Sequence, residues 1–453
     1  MYTQNRQKGS TLVLAIMFLA MFSALAAAMA TLSAGNVQIA HTYSMGNTAY
    51  RAAESGVEVM RYWLSRFKMP RTTPTSDFLP TIVTSLQNDR ATAGVTQIVV
   101  EDDGSIPAVS VDSASGTTFS AQLQMDSSNP NVLHLLVTGS QGRAGRTIDV
   151  AFEMSPYSHP IFGYGMATKG PIHFPENATM TGATVRSDAN VYIDAAEMIG
   201  VMIGGNATFD GDFHFRNVDG QISYSGSLEI AGDAGQTAVD NHVFAGAEPL
   251  PFPTPETDIF RSYATGPVVD PTTMNLTKGL TLTNATIPAG TNPTFSGSVI
   301  IEGVLLIESP NVVTFGRNCL LNGIIIGDGN SGAAEENQIT FAGNFATGAY
   351  PTGEEYAWLA TAAGTSILAP VFSLSLTGNF SVIDGVVAVG GLYLAGNASA
   401  EVKGTLINYG TAPTIVNGNI ALNFSHMLGD GVPAGFDTDR VLAYDPTSYA
   451  MVF

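Results

Sequence analysis

The feature that most constrains this chain is an uncharged stretch near its N-terminus. No side chain from Thr11 to Leu32 carries a charge, and the stretch comes after a short polar leader containing Arg6, Lys8 and Gly9. Roughly 20 apolar residues in a helix cross the ~30 Å of hydrocarbon in a bilayer. The stretch at 11–32 therefore reads as a single membrane span. Both cations precede it, so the positive-inside rule keeps the N-terminus in the cytoplasm and exports the chain beyond Leu32.

The helical pattern continues past the span. Tyr43, Gly46, Tyr50, Ala53, Val57, Met60, Leu64 and Phe67 succeed one another at intervals alternating between three and four residues. That is one face of a helix, while Arg51, Glu54, Glu58, Arg61, Arg66 and Lys68 fall off it. One helix over 10–68 would reach roughly 90 Å. Gly35, Gly46 and Gly56 are places where it is expected to bend or loosen. A plain signal anchor, or a secretory signal peptide cut near Ala24–Ala30, is the rival reading. The latter would remove the first half of a continuous pattern.

Lys8-Gly9-Ser10-Thr11-Leu12-Val13-Leu14, with a long helix behind it, resembles the amino-terminal region of type IV pilins, minor pilins and pseudopilins. The Ala52-Ala53-Glu54-Ser55-Gly56-Val57-Glu58 segment is similar to the Ala/Glu-rich segment of minor pilins. The resemblance covers residues 1 to about 68 and, more loosely, to about 155. It implies a leader, 1–9, cut after Gly9 by a prepilin peptidase, with N-methylation of the new first residue, Ser10. It also implies an inner-membrane location and other pilin or pseudopilin subunits as partners. Major pilins have Phe first and Glu fifth in the mature chain, where this one has Ser10 and Leu14. Without that carboxylate the resemblance points to a minor, tip or initiating subunit.

Pro70 ends the helix and a Thr/Pro/Ser run to Asp77 forms a loop. Residues 78–155 read as a small antiparallel β domain opening with a short helix, Phe78–Asn88. Its expected strands are Thr96–Glu101, Ala108–Val111, Thr118–Met125, Val132–Thr138 and Arg146–Glu153. A sheet lying on the second half of the long helix, as the resemblance implies, would bury the stripe.

Beyond Gly163, short β-prone runs recur between Gly and Gly-Asn corners. Gly378-Asn379, Gly396-Asn397 and Gly418-Asn419 stand 18 and 22 residues apart, close to one turn of a parallel β-helix. Such turns cannot bury their own apolar face and must stack. Residues 163–440 are thus expected to form a right-handed parallel β-helix, with a jelly roll or second β-sandwich as the rival. An insertion, 233–277, carries Pro249, Pro251, Pro253 and Pro255 and a short helix Glu256–Ala264. Four alternating prolines cannot join a central sheet, so the insertion is expected to run along the solenoid flank. Polar residues Gly327–Asn337 read as a surface loop, Tyr350, Tyr356 and Trp358 as an exposed aromatic patch or as a cap over the core, and 441–453 as a C-terminal tail. The expected fold is an α+β pilin-like module, with a long transmembrane helix and an antiparallel sheet, followed by a mainly β domain.

Charge narrows the partners. The net charge is -20, yet residues 1–68 hold six Lys/Arg against two acids, leaving 12 against 36 elsewhere. An acidic exported body argues against nucleic acid, which needs a basic face. A surface glycan or protein ligand is compatible with it. Cys319 is the only cysteine, which excludes an intrachain disulfide and a Cys-based zinc site, and its apolar setting predicts burial.

Chemistry is sparse. Asp210, Asp212 and His214 alternate with Phe209, Phe213 and Phe215 and would share one strand face, a weak candidate for a divalent cation. A solvated strand face opposite a core face is the preferred reading, since one strand supplies only three ligands, and Glu335-Glu336 and Glu354-Glu355 read as solvated loop acids. No cofactor is expected. The function reading is a minor pilin-like or pseudopilin-like subunit of a type IV pilus or type II secretion-like filament. It would display a β-solenoid for assembly, tip or adhesion roles. The alternative is a membrane-anchored polysaccharide lyase or hydrolase on a β-helix.

Overall fold

A computed structural model describes residues 8–70, 73–157, 159–329, 336–360, 364–396, 399–425, 433–436 and 439–452, without the side chains of 8–11, 355 and 360. The chain divides into two compact units. One is Met1–Pro156 with Asp439–Phe453, and the other is Tyr157–Thr438.

The first unit is built on a single uninterrupted helix, α1 (Lys8–Leu64). An 18-residue window near its N-terminus has mean hydropathy 2.5 and buries nothing. Its second half lies on an antiparallel sheet. The order is β1 (Lys68–Pro70), the C-terminal strand (Asp439–Val452), β5 (Ala144–Pro156), β4 (Val132–Gln141), β3 (Thr117–Met125) and β2 (Ser105–Asp112). Strands β3 and β4 alternate between buried and half-buried residues, so one face carries the core. Val57, Met60, Leu64 and Phe67 pack there with Phe119, Leu135, Val150 and Phe152. Burying each such side chain stabilises the unit by about 1.5–3 kcal/mol. The helix α2 (Phe78–Thr92) closes the core with Phe78, Ile82, Val83 and Leu86.

Gly56 is not a bend in α1. A Cβ there would stand 2.6 Å from Val137 Cγ1 and 2.7 Å from Phe119 Cδ2, so glycine lets the helix approach the sheet. Two strand expectations need correcting. Thr96–Glu101 joins no ladder, although Ile98 and Val100 are buried. Residues 441–452 are not a tail: they pair with β5 from Arg440↔Pro156 to Val452↔Thr147. Pro446 interrupts that ladder, and the interval Asp445–Ala450 bulges out. There the Asp445 carboxylate accepts the Thr447 N–H at 2.8 Å, and the Ala151 N–H donates to Ser448 Oγ at 2.7 Å.

The second unit is a β-solenoid of about 11 turns, with parallel ladders between turns. Its corners stack as the glycine spacing suggests. A Cβ on Gly378 would meet the Gly343 carbonyl oxygen at 2.0 Å, and one on Gly418 would meet that of Gly396 at 2.2 Å. Asn397 lies outside the described residues. Phe295, Phe315 and Phe341 from successive turns stack inside it at 5.1 and 4.8 Å, nearly parallel.

The order of turns is permuted. The strand Met166–Thr168, first in the unit, pairs on one side with the next turn, Val191–Ile193, and on the other with Leu406–Asn408, near the unit's end. Ala178–Gly182 is likewise sandwiched between Ala207–Phe209 and Ile420–Ser425. The chain thus enters mid-stack and winds to one end at Val243–Ala245. It then returns to the other end at Val268, and winds back until its last turn meets its first. This brings the two ends of the solenoid segment to neighbouring turns.

The return is made by residues 246–267, a narrower strap than the expected insertion 233–277. Its contacts march down the stack. Ala247 N–H donates to the Phe215 carbonyl, Leu250 N–H to Tyr192 Oη, and Tyr409 Oη to the Pro253 carbonyl. Thr257 then donates to Asp328, Arg261 pairs with Asp328 and Glu308, and Val268 bridges to Thr286. From the level of Phe215 to that of Thr286 is eight inter-strand steps, or roughly 40 Å. Alternating prolines keep the strap extended enough to cover it. The expected helix Glu256–Ala264 is only a 3₁₀ segment, Asp258–Tyr263. Pro255 is held extended in a bridge with Phe436, which delays helical geometry.

The strap explains a sequence oddity. Val299–Glu308 and Cys319–Asp328 are apolar almost continuously rather than in alternation. Leu305, Ile307 and Ile325 face the solenoid interior, while Val304, Leu306, Ile324 and Ile326 face outward into a second core with Phe260 and Leu359. A strand covered on both faces has no polar side to show.

Candidate functional site

Along α1, the residues from Leu12 to Leu32 are exposed, including Leu14 at 56%. Gly9 and Ser10 lie in its first turn. Of the packing stripe, Ala53, Met60 and Leu64 are fully buried and Val57 and Phe67 nearly so. Tyr50 is half-buried and its hydroxyl meets that of Tyr449 at 2.9 Å. Tyr43 departs from the stripe reading at 72% exposure. The sheet covers the helix only as far as Gly46, where Arg146 lies over it, so the helical period runs on without anything to bury it.

The candidate cation ligands do not share a strand face. Of the three only His214 lies in a strand, Phe213–Phe215, and Asp210-Gly211-Asp212 forms the corner between it and the strand ending at Phe209, with Gly211 tight against the Ala189 backbone. The Asp210 carboxylate accepts the Gly182 N–H at 3.2 Å, and Asp212 pairs with His242 Nδ1 at 2.8 Å. His214 stacks on Phe244 at 5.2 Å and meets Tyr164 edge-on at 5.6 Å. Burial there pushes the His214 pKa down, which favours the neutral ring. Among the described residues, no group of three or more His, Cys, Asp or Glu stands in metal-holding geometry.

The partner of Asp212 is His242, which sequence reasoning missed. Phe213 and Val243 are register partners, so the residues before them are neighbours on adjacent turns. A separation of 30 residues, longer than the glycine spacing, hides this pairing. His242 Nε2 also lies 3.3 Å from Asp233.

Cys319 is buried in the solenoid interior and burial raises its thiol pKa. Trp358 stacks on Tyr263 of the strap at 4.2 Å, so the aromatic segment caps the second core. Glu354 is exposed; Glu335 and the Glu355 side chain lie outside the described residues, as does most of Gly327–Asn337.

The first unit holds a second histidine cluster. His134 on β4 has Nδ1 at 3.0 Å from Asp149 and Nε2 at 3.3 Å from Asp126. Its hydrogen bond with Asp149 raises its pKa above the ordinary value. Asp126 is lowered to about 2, chiefly by the Ser128 hydroxyl. A raised folded-state pKa gives stabilisation that is complete below the unfolded histidine value, about 6.5, and is lost as pH rises through the folded value. The melting temperature of this unit should therefore fall between about pH 6 and pH 8, and His134→Gln should flatten that part of the profile. An unchanged slope in the variant would remove His134 as its source.

No protein-family model matches this chain, and no curated protein matches it. Among solved structures, the chain is similar to one described as the crystal structure of competence-associated pilin ComZ from Thermus thermophilus. The match covers 90% of this chain and 98% of that one at 12% identity, with a TM-score of 0.26. A superposition that loose carries no argument about fold or function.

Proposed function

We propose that the chain is a pilin-like or pseudopilin-like minor subunit of a type IV pilus or type II secretion-like filament. In this reading a prepilin peptidase cuts after Gly9 and the new N-terminus, Ser10, is methylated. The first half of α1 is held in the bacterial inner membrane, and the rest of the chain is exported. The solenoid is then a displayed body for assembly, tip or adhesion roles.

The observation that carries this reading is the division of labour along α1. One continuous helix is apolar and exposed over its first half and forms the packing spine of a folded unit over its second. A removable signal peptide has no need of such continuity. Beyond the span, Val37, Ile39 and Tyr43 keep apolar surface exposed, which suits packing against the helices of neighbouring subunits. Asp210 and Asp212 are engaged with Gly182 and His242, which favours display over catalysis for the solenoid.

The reading is tested by shearing filaments from cells that express the full chain with an epitope in an exposed corner of the solenoid. The tagged chain should appear in the sheared filament fraction in amounts well below the major subunit. Its recovery only in the soluble periplasmic fraction would reject the proposal.

A further inference from the structure

One groove on the solenoid gathers corner asparagines from successive turns. It is open, about 700 Å³ in volume, and crosses successive turns of the stack. Val299, Cys319 and Phe345 are register partners there, and Phe345 bridges on to Phe380. The residues just before them, Ser298, Asn318, Asn344 and Asn379, therefore form a ladder, one per turn, over roughly 14 Å. All four are exposed. Ile300 and Leu320, also register partners, give the groove an apolar floor at 38% and 37% exposure.

The backbone of this ladder is already used. The carbonyls of Asn318, Asn344 and Asn379 accept the N–H groups of Val299, Cys319 and Phe345 at 2.8 to 2.9 Å. No strand edge is free here for an extended peptide to join. The side-chain amides, in contrast, have no hydrogen-bond partner among the described residues. Each offers two donors and one acceptor oxygen to a ligand.

The groove thus presents neutral amides at a repeat set by the turns, beside aliphatic side chains. Among the described residues no charged side chain lines it, and the chain's net charge of -20 disfavours an anionic ligand. A pyranose in an extended glycan advances by nearly one solenoid turn, so a sugar chain lying along the stack stays in step with the ladder. An acetamido group supplies both an amide for an asparagine and a methyl for the Ile300–Leu320 floor. We infer that this groove binds a neutral glycan containing N-acetylhexosamine, laid along the stack. The inference deepens the adhesion role within the proposed function and rests on that reading for its biological sense. The binding itself depends only on the solenoid.

The test uses the full chain in a detergent without a sugar headgroup, titrated calorimetrically with three probes. These are chitohexaose, the unacetylated cellohexaose, and a hyaluronan hexasaccharide, in which a carboxylate-bearing uronic acid replaces every second acetamido sugar. Chitohexaose should bind saturably and at least tenfold more tightly than either of the others. Asn318→Ala combined with Asn344→Ala should weaken it at least tenfold with an unchanged melting temperature. Leu320→Asp, made separately so that a folding defect in one variant does not decide the matter, should do the same. Absence of saturation at millimolar chitohexaose, equal binding of cellohexaose or hyaluronan, or unchanged affinity in the folded variants would each overturn the inference. None of those results bears on filament incorporation, which the shearing experiment reads independently.

Discussion

Phe315→Ala should destabilise the solenoid by about 3–5 kcal/mol. The ring stands between Phe295 and Phe341, with interplanar angles of 6° and 9°, and all three are essentially inaccessible to solvent. Truncation leaves a cavity that the neighbours cannot fill. Phe295, Phe315 and Phe341 are themselves register partners in the ladders on either side, so their backbones are fixed at the inter-strand spacing. Stability in a solenoid is close to a sum of turn and nearest-neighbour terms, so one lost ring weakens two interfaces at once. The two tryptophans make this measurable, because Trp63 lies in the first unit and Trp358 in the second. In a Trp63→Phe background, the urea midpoint reported by Trp358 should drop sharply. A loss below about 1 kcal/mol would mean that the aromatic stack is not a principal support of the turns.

Gly139→Ala should be comparably damaging to the first unit, at about 3 kcal/mol or more. A Cβ at this position of β4 would lie 1.9 Å from the Ala49 carbonyl oxygen and 2.5 Å from the Ala53 nitrogen. Both are backbone atoms of α1, so no side chain can rotate away to relieve the clash. The helix must lift from the sheet, loosening Ala53, Val57 and Met60 from the core. Gly145→Ala is the matched control, since its nearest new contact is at 4.0 Å, and it should be close to neutral. Trp63 fluorescence in a Trp358→Phe background reads both. Equal stability of the two variants would contradict the close helix-to-sheet approach.

These two positions also show what the chain discloses on reading and what it withholds. The stripe on α1 is legible because burial on one helical face imposes its own period on the residues. Its lower limit is not, because Tyr43 obeys the same period where the sheet has already ended. Gly139 gives no local sign that it faces a helix, since its constraint comes from the distant Ala49. The solenoid is legible from corner glycines that recur near its turn length, and the flanking strap from four prolines that no ladder accepts. The permuted order of turns is not legible. It depends on which strand lies beside Met166–Thr168, and the parallel partners on both sides, Val191–Ile193 and Leu406–Asn408, are both short and buried.

The candidate site divides the same way. Alternation correctly sends Phe213 and Phe215 inward, but it stops at the Gly211 corner, so Asp210 and Asp212 do not join His214 on one face. The C-terminal strand, expected to be a tail, takes Pro446 into a bulge and pairs with β5 on both sides of it. At the candidate site the local rule holds over a shorter run than the sequence suggests because a glycine corner ends it, whereas the C-terminal pairing resumes beyond its bulge.

In the proposed function the apolar stretch is retained as the first half of α1 after a cut at Gly9. Intact-mass analysis of the full chain extracted from membranes of a host with prepilin peptidase tests it most directly. The expected mature protein begins at N-methylated Ser10 and still carries the span. A protein that begins at Thr31, having lost the span, would contradict it.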